Sequence, residues 1–409
     1  MKDAIFVRLF GLLVLLAAVC SGAAQAQQPI RIGASISQTG SYAALATNQL
    51  RGYRLCVKHA NEKGGVLGRK LELVVADDQS QPPIAVKIYE KLITQDKVDA
   101  VLGPYSSPIT DAVADLTEKH RIPMVSAGAA STSIFRKGRN YIFMTASPAE
   151  AYLWGLIEMA AARGLKTIAI IHEDTLFPRS IAQGAVELAK KRGLQVVHFE
   201  AYAKGSTEFA SILGRVRAKN PDVLGEATYF EDAVAITHRV KELDVNPKMF
   251  GLTSGVDLPK FYEVLGRSAE FTYGGSKWEV ELATSRAGGL VPMARQYPGA
   301  RDFVEAHRTE FPSADDPTYH TAEGYASCQI LLETVKRAGS LDSEKLRDAI
   351  LKMEINTIFG AFKVDQDGFQ IGHKMVAFQW QDGKKVIVWP GELAPVQARF
   401  PTPPWSQRK

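Results

Sequence analysis

Residues 102–110 read L-G-P-Y-S-S-P-I-T, with four hydroxyl side chains (Tyr105, Ser106, Ser107 and Thr110) just past an apolar run. Such a loop suits a nucleophile elbow, a socket for an anion, or nothing beyond a helix cap. Two other stretches have the same character. Ser37-Gln38-Thr39-Gly40-Ser41-Tyr42 and Ala127-Gly128-Ala129-Ala130-Ser131-Thr132 both follow apolar runs and are small and hydroxylated. Glycine and alanine let backbone N–H groups approach a ligand closely, and a helix starting there adds the positive end of its dipole. Uncharged donors of this kind suit a carboxylate. The plainer alternative makes the serines and threonines helix N-caps only.

Signatures of catalysis are missing from the sequence. Ser106 and Ser107 lie outside any G-x-S-x-G elbow, so the setting of a hydrolase nucleophile is absent. The G-G-V-L-G-R-K stretch ends in Leu71 where a phosphate loop carries Ser or Thr, and reads as a helix cap and turn. Asp365-Gln366-Asp367-Gly368 opens like a calcium loop without its later ligands, and reads as a turn between strands. The eight histidines form no H-E-x-x-H and no i, i+4 pair. We therefore expect no enzyme, no cofactor and no metal.

The elements that must position these loops alternate between strand and helix. Apolar, β-branched runs at Ile30 to Ile36, Leu71 to Ala76, Val98 to Gly103 and Ile122 to Ser126 predict strands. Between them, helical spacing predicts helices over Asn48 to Asn61, Ile84 to Gln95 and Ile109 to His120. A second series begins near Pro148. Its helices are expected over Glu150 to Arg163, Ser180 to Arg192, Phe209 to Lys219 and Asp232 to Leu243. Its strands are expected over Thr167 to His172, Leu194 to Glu200, Asp222 to Thr228 and Lys248 to Leu252. Two such series predict an α/β fold of two doubly wound parallel-sheet lobes. Beyond them come a long amphipathic helix, Tyr319 to Ala338, and a helix over Ser343 to Met353. Three short antiparallel strands follow, Ala361 to Asp365, Met375 to Gln381 and Lys385 to Trp389, with an Asp382-Gly383 hairpin signal.

Residues 1–26 read as a secretory signal peptide: Lys2 and Arg8, an apolar run from Leu9 to Val19, then Ala24-Gln25-Ala26. The run is too short to span a bilayer. Cys20 follows Val19, which is bulkier than lipoprotein sites carry, so a cleaved and unlipidated leader is expected. Removing it takes away two basic and one acidic residue, so the net charge falls from +5 to +4. Interspersed charges with no basic block argue against a nucleic-acid partner. Cys56 and Cys328 lie in helical, apolar surroundings and read as buried free thiols, with a single disulfide between them the alternative in an oxidising compartment.

The stretch N-E-K-G-G-V-L-G-R-K-L-E-L-V-V-A-D-D (61–78), with T-G-S-Y-A before it, resembles the leucine/isoleucine/valine-binding class of periplasmic receptors, which serve ABC importers. Y-F-E-D-A-V-A-I (229–236) and Y-H-T-A-E-G-Y-A (319–326) are similar to that class too. The resemblance implies a clamshell whose lobes are joined by a three-crossover hinge and close on solute held between them. It places 27–146 with 276–352 in an N-terminal lobe, 147–275 with 353–392 in a C-terminal lobe, and 393–409 in an extended tail. It implies a small carboxylate or amino acid as ligand and inner-membrane permease subunits as partners; a periplasmic sensor for a kinase or chemoreceptor is the alternative.

By the same resemblance, the carboxylate contacts are Ser106 or Ser107 beside Tyr105, and Gly128 with Ala130, Ser131 standing in for the family's hydroxyl. Leu45 and Phe177 occupy the family's tyrosine-like wall positions, with Tyr42 and Tyr229 alongside. Family members that bind amino acids place an acid near Gly251 for the ammonium; here the segment is Gly251-Leu252-Thr253-Ser254-Gly255, with Thr253 and Ser254 as the candidate ligand contacts. An unpaired ammonium in a closed cleft costs several kcal/mol, more than the ~1–3 kcal/mol of a methylene-scale change in a wall. An apolar or aromatic carboxylate is therefore preferred to a branched-chain amino acid. Glu226 is read as an exposed acid on the lobe surface rather than a compensating partner.

Overall fold

The structure is a computed structural model that describes residues 28–284 and 293–408. The expected signal peptide lies outside the described residues. The first sheet holds β1 (Ile30–Ile36), β2 (Leu71–Asp77), β3 (Ala100–Leu102), β4 (Met124–Ser126) and β5 (Ile142–Met144). All are parallel, in the order β2-β1-β3-β4-β5. The second sheet holds the parallel strands β6 (Thr167–Glu173), β7 (Gln195–Tyr202), β8 (Val223–Ala227), β9 (Met249–Leu252) and β10 (Thr272–Ser276). Its order, β14-β13-β10-β9-β8-β6-β7, repeats the first pattern and adds a hairpin at one edge.

That hairpin is the antiparallel one expected at Asp382-Gly383, set on the edge of an otherwise parallel sheet. Strands β13 (Val376–Gln381) and β14 (Lys384–Trp389) run antiparallel, and β13 also pairs antiparallel with β10. Asp382 (φ 51°) and Gly383 (φ 75°) form their turn, both left-handed as a two-residue hairpin of type I′ requires. The segment from Ala361 does not join them. Instead β12 (Gly360–Lys363) pairs with β11 (Glu354–Thr357) in a separate two-stranded ribbon. The chain passes between the two large sheets three times, after β5, after β10 and after β12.

Strand β10, T-Y-G-G-S, was not among the expected strands, since its paired glycines carry no strand signal. Here they serve close approach. A Cβ on Gly275 would lie 2.2 Å from the Tyr152 carbonyl oxygen, and one on Gly274 2.3 Å from the Phe378 ring. The helices that matter for the site are α1 (Ala43–Glu62), α2 (Pro82–Thr94), α3 (Ser107–Lys119), α4 (Trp154–Ala162), α5 (Leu176–Lys191), α6 (Ala210–Lys219), α7 (Phe230–Glu242) and α8 (Tyr319–Ala338). The helix expected from Glu150 divides into a 3₁₀ turn, Ala149–Ala151, and α4, leaving the buried Tyr152 and Leu153 between them.

Helices α1 and α8 are sewn together. A Cβ on Gly52 would meet the Thr321 carbonyl oxygen at 2.2 Å, and one on Gly324 the Gln49 carbonyl oxygen at 2.4 Å, so the backbones touch at this crossing. One turn further along both helices, Cys56 and Cys328 form a disulfide with Cα atoms 6.1 Å apart. The free-thiol reading is thus overturned. G-Y-R-L-C (52–56) and G-Y-A-S-C (324–328) carry the same spacing. Only the fold makes the two helices parallel neighbours across 272 residues of sequence.

The tail is docked rather than merely extended. It ends in a 3₁₀ turn, Trp405–Gln407, whose Trp405 is buried in an apolar cluster with Phe250 and Trp380. Its indole Nε1 donates to the Val245 carbonyl at 2.8 Å.

Candidate functional site

In both sheets the strand order reverses beside the first strand of the series, and open α/β sheets bind ligands beyond the carboxyl ends of strands at that switch. The first lobe presents two loops there. After β3, the Gly103 carbonyl accepts from Tyr53 Oη (2.9 Å) and Gln49 Nε2 (3.2 Å). Ser106 adopts φ 82° and caps α3, weakly accepting from the Ile109 amide at 3.5 Å, and its own amide donates to the Gly128 carbonyl. Ser107 Oγ accepts from the amides of Ala130 (3.1 Å) and Ser131 (3.2 Å). The two loops are therefore one unit. Gly128 must be glycine: a Cβ would stand 2.4 Å from Gln49 Oε1 and 2.7 Å from the Tyr105 ring.

Tyr105, Gly128 and Ala130 line one side of an interlobe cleft with about 240 Å³ of empty space, part of it open to solvent. Tyr152, Phe177, Tyr229 and Ser254 line the other side. Lys277, just past β10, and His320, in the first turn of α8, complete it. The walls are aromatic. Tyr152 meets Phe177 edge-on at 5.1 Å, Phe177 lies 5.5 Å from Tyr229, and Tyr229 4.9 Å from Tyr42. This last contact crosses between the lobes. Lys204, which follows β7, strengthens it by donating to Tyr42 Oη (3.2 Å) and lying 4.6 Å from that ring.

Six of the residues expected at the site thus meet in the cleft wall: Tyr105, Gly128, Ala130, Phe177, Tyr229 and Ser254. Ser106, Ser107 and Tyr42 stand against that wall through the contacts just given. Ser131 is fully buried, its Oγ without a partner. Leu45 packs in the apolar core. Thr253 staples two strand ends, its Oγ1 accepting from the Thr228 amide and donating to the Thr228 carbonyl, both at 2.9 Å. Glu226 is not exposed but fully buried, with both carboxylate oxygens unpartnered, and burial pushes its pKa well above the usual range. A strand position two residues before the loop cannot be assigned inward or outward from a five-residue apolar run.

Three residues escaped the sequence reading. Tyr152 sits between the two short helices; Lys277 follows the glycine-masked strand; His320 lies inside a motif already singled out. Lys277 is buried and ion-paired with the equally buried Glu323, and burial lowers its pKa against the pull of that partner. Burial also drives His320 well below the usual imidazole range and pushes Glu323 up to about 7. Behind His320, Asp257 Oδ1 lies 3.9 Å from Nε2; neither carboxylate oxygen has a hydrogen bond, and burial raises its pKa to about 7. Among the described residues lining the cleft there is one lysine and no carboxylate. Among the described residues, no group of three or more His, Cys, Asp or Glu is arranged to hold a metal ion.

Comparison with known proteins places this geometry in context. The sequence model of the periplasmic binding protein family matches residues 29–385. Leu/Ile/Val-binding protein homolog 7 of Brucella melitensis biotype 1 is 26% identical over 403 residues, covering 94% of this chain and 97% of its own length. Homolog 8 of Brucella abortus is 26% identical over 388 residues, covering 91% and 93%. Two solved structures share the fold. The branched-chain amino acid transporter substrate binding protein LivJ of Streptococcus pneumoniae, in complex with isoleucine, superposes with a TM-score of 0.76 at 21% identity, covering 88% of this chain and 100% of its own. A solute binding protein of an ABC transporter from Rhodopseudomonas palustris BisB5, in complex with 3,4-dihydroxybenzoic acid, gives 0.73 at 19% identity, covering 88% and 95%.

Proposed function

The chain belongs to the periplasmic binding protein family, and we propose that it is the exported solute receptor of an ABC importer, capturing a small aromatic or apolar carboxylate between its lobes. The observation that carries this reading is the charge of the cleft. Its lining residues offer neutral hydroxyls, aromatic faces and one lysine, with no carboxylate to meet an ammonium. An α-amino acid would bury its ammonium beside Lys277, a like-charge contact that raises an already large desolvation cost. A carboxylate alone meets no such penalty. Its oxygens fit the Ser107–Ala130 loop unit, and its ring or alkyl body fits among Tyr152, Phe177 and Tyr229. Aromatic side chains stack on a flat solute with a preference worth about 0.5–1.5 kcal/mol per pair beyond the area buried.

A branched-chain amino acid is the second reading, favoured by the names of the Brucella relatives and by the isoleucine bound to the streptococcal neighbour. Isothermal titration separates them. Benzoate binding with no response to leucine, isoleucine or valine supports the aromatic acid; tight leucine binding with no response to benzoate sinks it. Permease and ATPase genes beside this one support import over sensing.

A further inference from the structure

A single carboxylate on an apolar body leaves the Lys277 end of the cleft without a partner. Resting on the reading above, we infer that the solute carries a second anionic oxygen group, an aromatic dicarboxylate in its simplest form, received by Lys277 and His320.

The argument is a count of donors. Among the described residues the one hydrogen-bond partner of Lys277 Nζ is Glu323, so two of its three N–H groups remain. They stand near the Tyr319 and Tyr152 rings, at 4.9 and 5.9 Å from the centroids, and rings attract a cation without accepting its protons as an oxygen does. His320, 3% exposed, lines the cleft while its unbonded Nε2 faces Asp257 Oδ1 at 3.9 Å. The Tyr229 hydroxyl, 6% exposed, has no hydrogen bond either. These three side chains all line the cleft. A buried polar group left unpaired costs about 1–3 kcal/mol, so hydrocarbon placed against Lys277 would leave its two remaining N–H groups unused.

A ring hydroxyl supplies one oxygen and brings a further donor. A carboxylate supplies two oxygens with about four lone-pair sites and no donor, which matches the two remaining N–H groups of Lys277. The acids behind this end do not repel it strongly. Glu323 is engaged by Lys277, and Glu279 by Lys385 at 2.7 Å. Asp257, facing His320, has its pKa held near 7 by burial, so it is largely protonated in mildly acid conditions.

The test is isothermal titration of the intact protein at pH 6.5 with benzoate, 4-hydroxybenzoate, terephthalate and leucine. Terephthalate is expected to bind at least tenfold tighter than benzoate. In His320→Gln, and in the paired variant Lys277→Met/Glu323→Leu that leaves no orphan charge, that ratio is expected to fall within threefold of one. Circular dichroism establishes that each variant is folded, and His320→Gln decides alone if the double variant is not. Benzoate as tight as terephthalate, 4-hydroxybenzoate as the tightest ligand, or a ratio that survives in the folded variants overturns this inference and leaves the carboxylate receptor standing. Leucine as the only binder, or silence toward all four solutes, overturns both.

Discussion

Ser107→Ala is the sharpest probe of the site, because one oxygen holds two loops. Ser107 Oγ accepts from the Ala130 and Ser131 amides at 3.1 and 3.2 Å, and all three residues are buried. Removing it strands two buried donors at about 1–3 kcal/mol each, so roughly 2–4 kcal/mol of stability is expected to go, allowing for partial relaxation of the loop. For a lobe of this size that lowers the melting temperature by roughly 5–15 °C. Binding is affected separately. Having accepted twice, the hydroxyl keeps its own hydrogen for an anion, and a charge-assisted bond of about 1.5–3 kcal/mol corresponds to roughly a 10- to 150-fold rise in Kd. Differential scanning calorimetry reads the first effect and titration with benzoate the second. Ser106→Ala is the internal control, since its 3.5 Å cap contact is too long to be worth more than a fraction of a typical N-cap of about 1 kcal/mol. Equal and small effects from both substitutions, with Kd within twofold of the parent, would refute the assignment of Ser107 as the hub of the socket.

Other consequences follow from particular contacts. Gly128→Ala drives a methyl group to 2.4 Å from Gln49 Oε1 and 2.7 Å from Tyr105, so an overpacking cost of about 1–3 kcal/mol and at least a tenfold loss of solute affinity are expected by calorimetry and titration. Breaking the Cys56–Cys328 bond with reductant, or by Cys56→Ala with Cys328→Ala, releases a loop of 272 residues and should cost about 3–5 kcal/mol; an unchanged melting curve under reductant that demonstrably frees both thiols contradicts it. Asp257 has a folded pKa of about 7, above its unfolded value, so its contribution is fully present below about pH 4 and is lost as pH rises through 7. Asp257→Asn should therefore stabilise the protein by about 2–4 kcal/mol at pH 8 and little at pH 4, and denaturant titrations at the two pH values show whether the gap exists.

Much of the framework was legible because a parallel strand buried on both faces writes itself as a short apolar run. Thr167 to His172 and Lys248 to Leu252 needed no more than that, and Tyr319–Ala338 announced itself by helical spacing. The loops after β3 and β4 were legible as a candidate site because small and hydroxylated residues clustered at strand ends. Strand β10 was not, since its glycines reflect contacts with Tyr152 and Phe378, which are distant in sequence. The side chains that set the charge of the cleft were equally hidden. Lys277 reads as an ordinary surface lysine until Glu323 is found beside it, 46 positions away. Leu45 and Thr253, expected to face a ligand, pack in the core and staple two strand ends, a distinction of side-chain direction that a residue type does not carry.

By itself the sequence determined the periods: two runs of strand and helix, and the hydroxyl-bearing strand ends. Local propensity and hydrophobic patterning act over a few neighbouring residues, and those features need nothing more. Tertiary structure alone decided that α1 and α8 touch at Gly52 and Gly324 and are locked by a disulfide, that Ser107 binds the amides of the neighbouring loop, and that Lys277 and His320 converge on the cleft. Each of these joins groups far apart in the chain, and their pairing depends on burial and direction, which exist only once the lobes have formed.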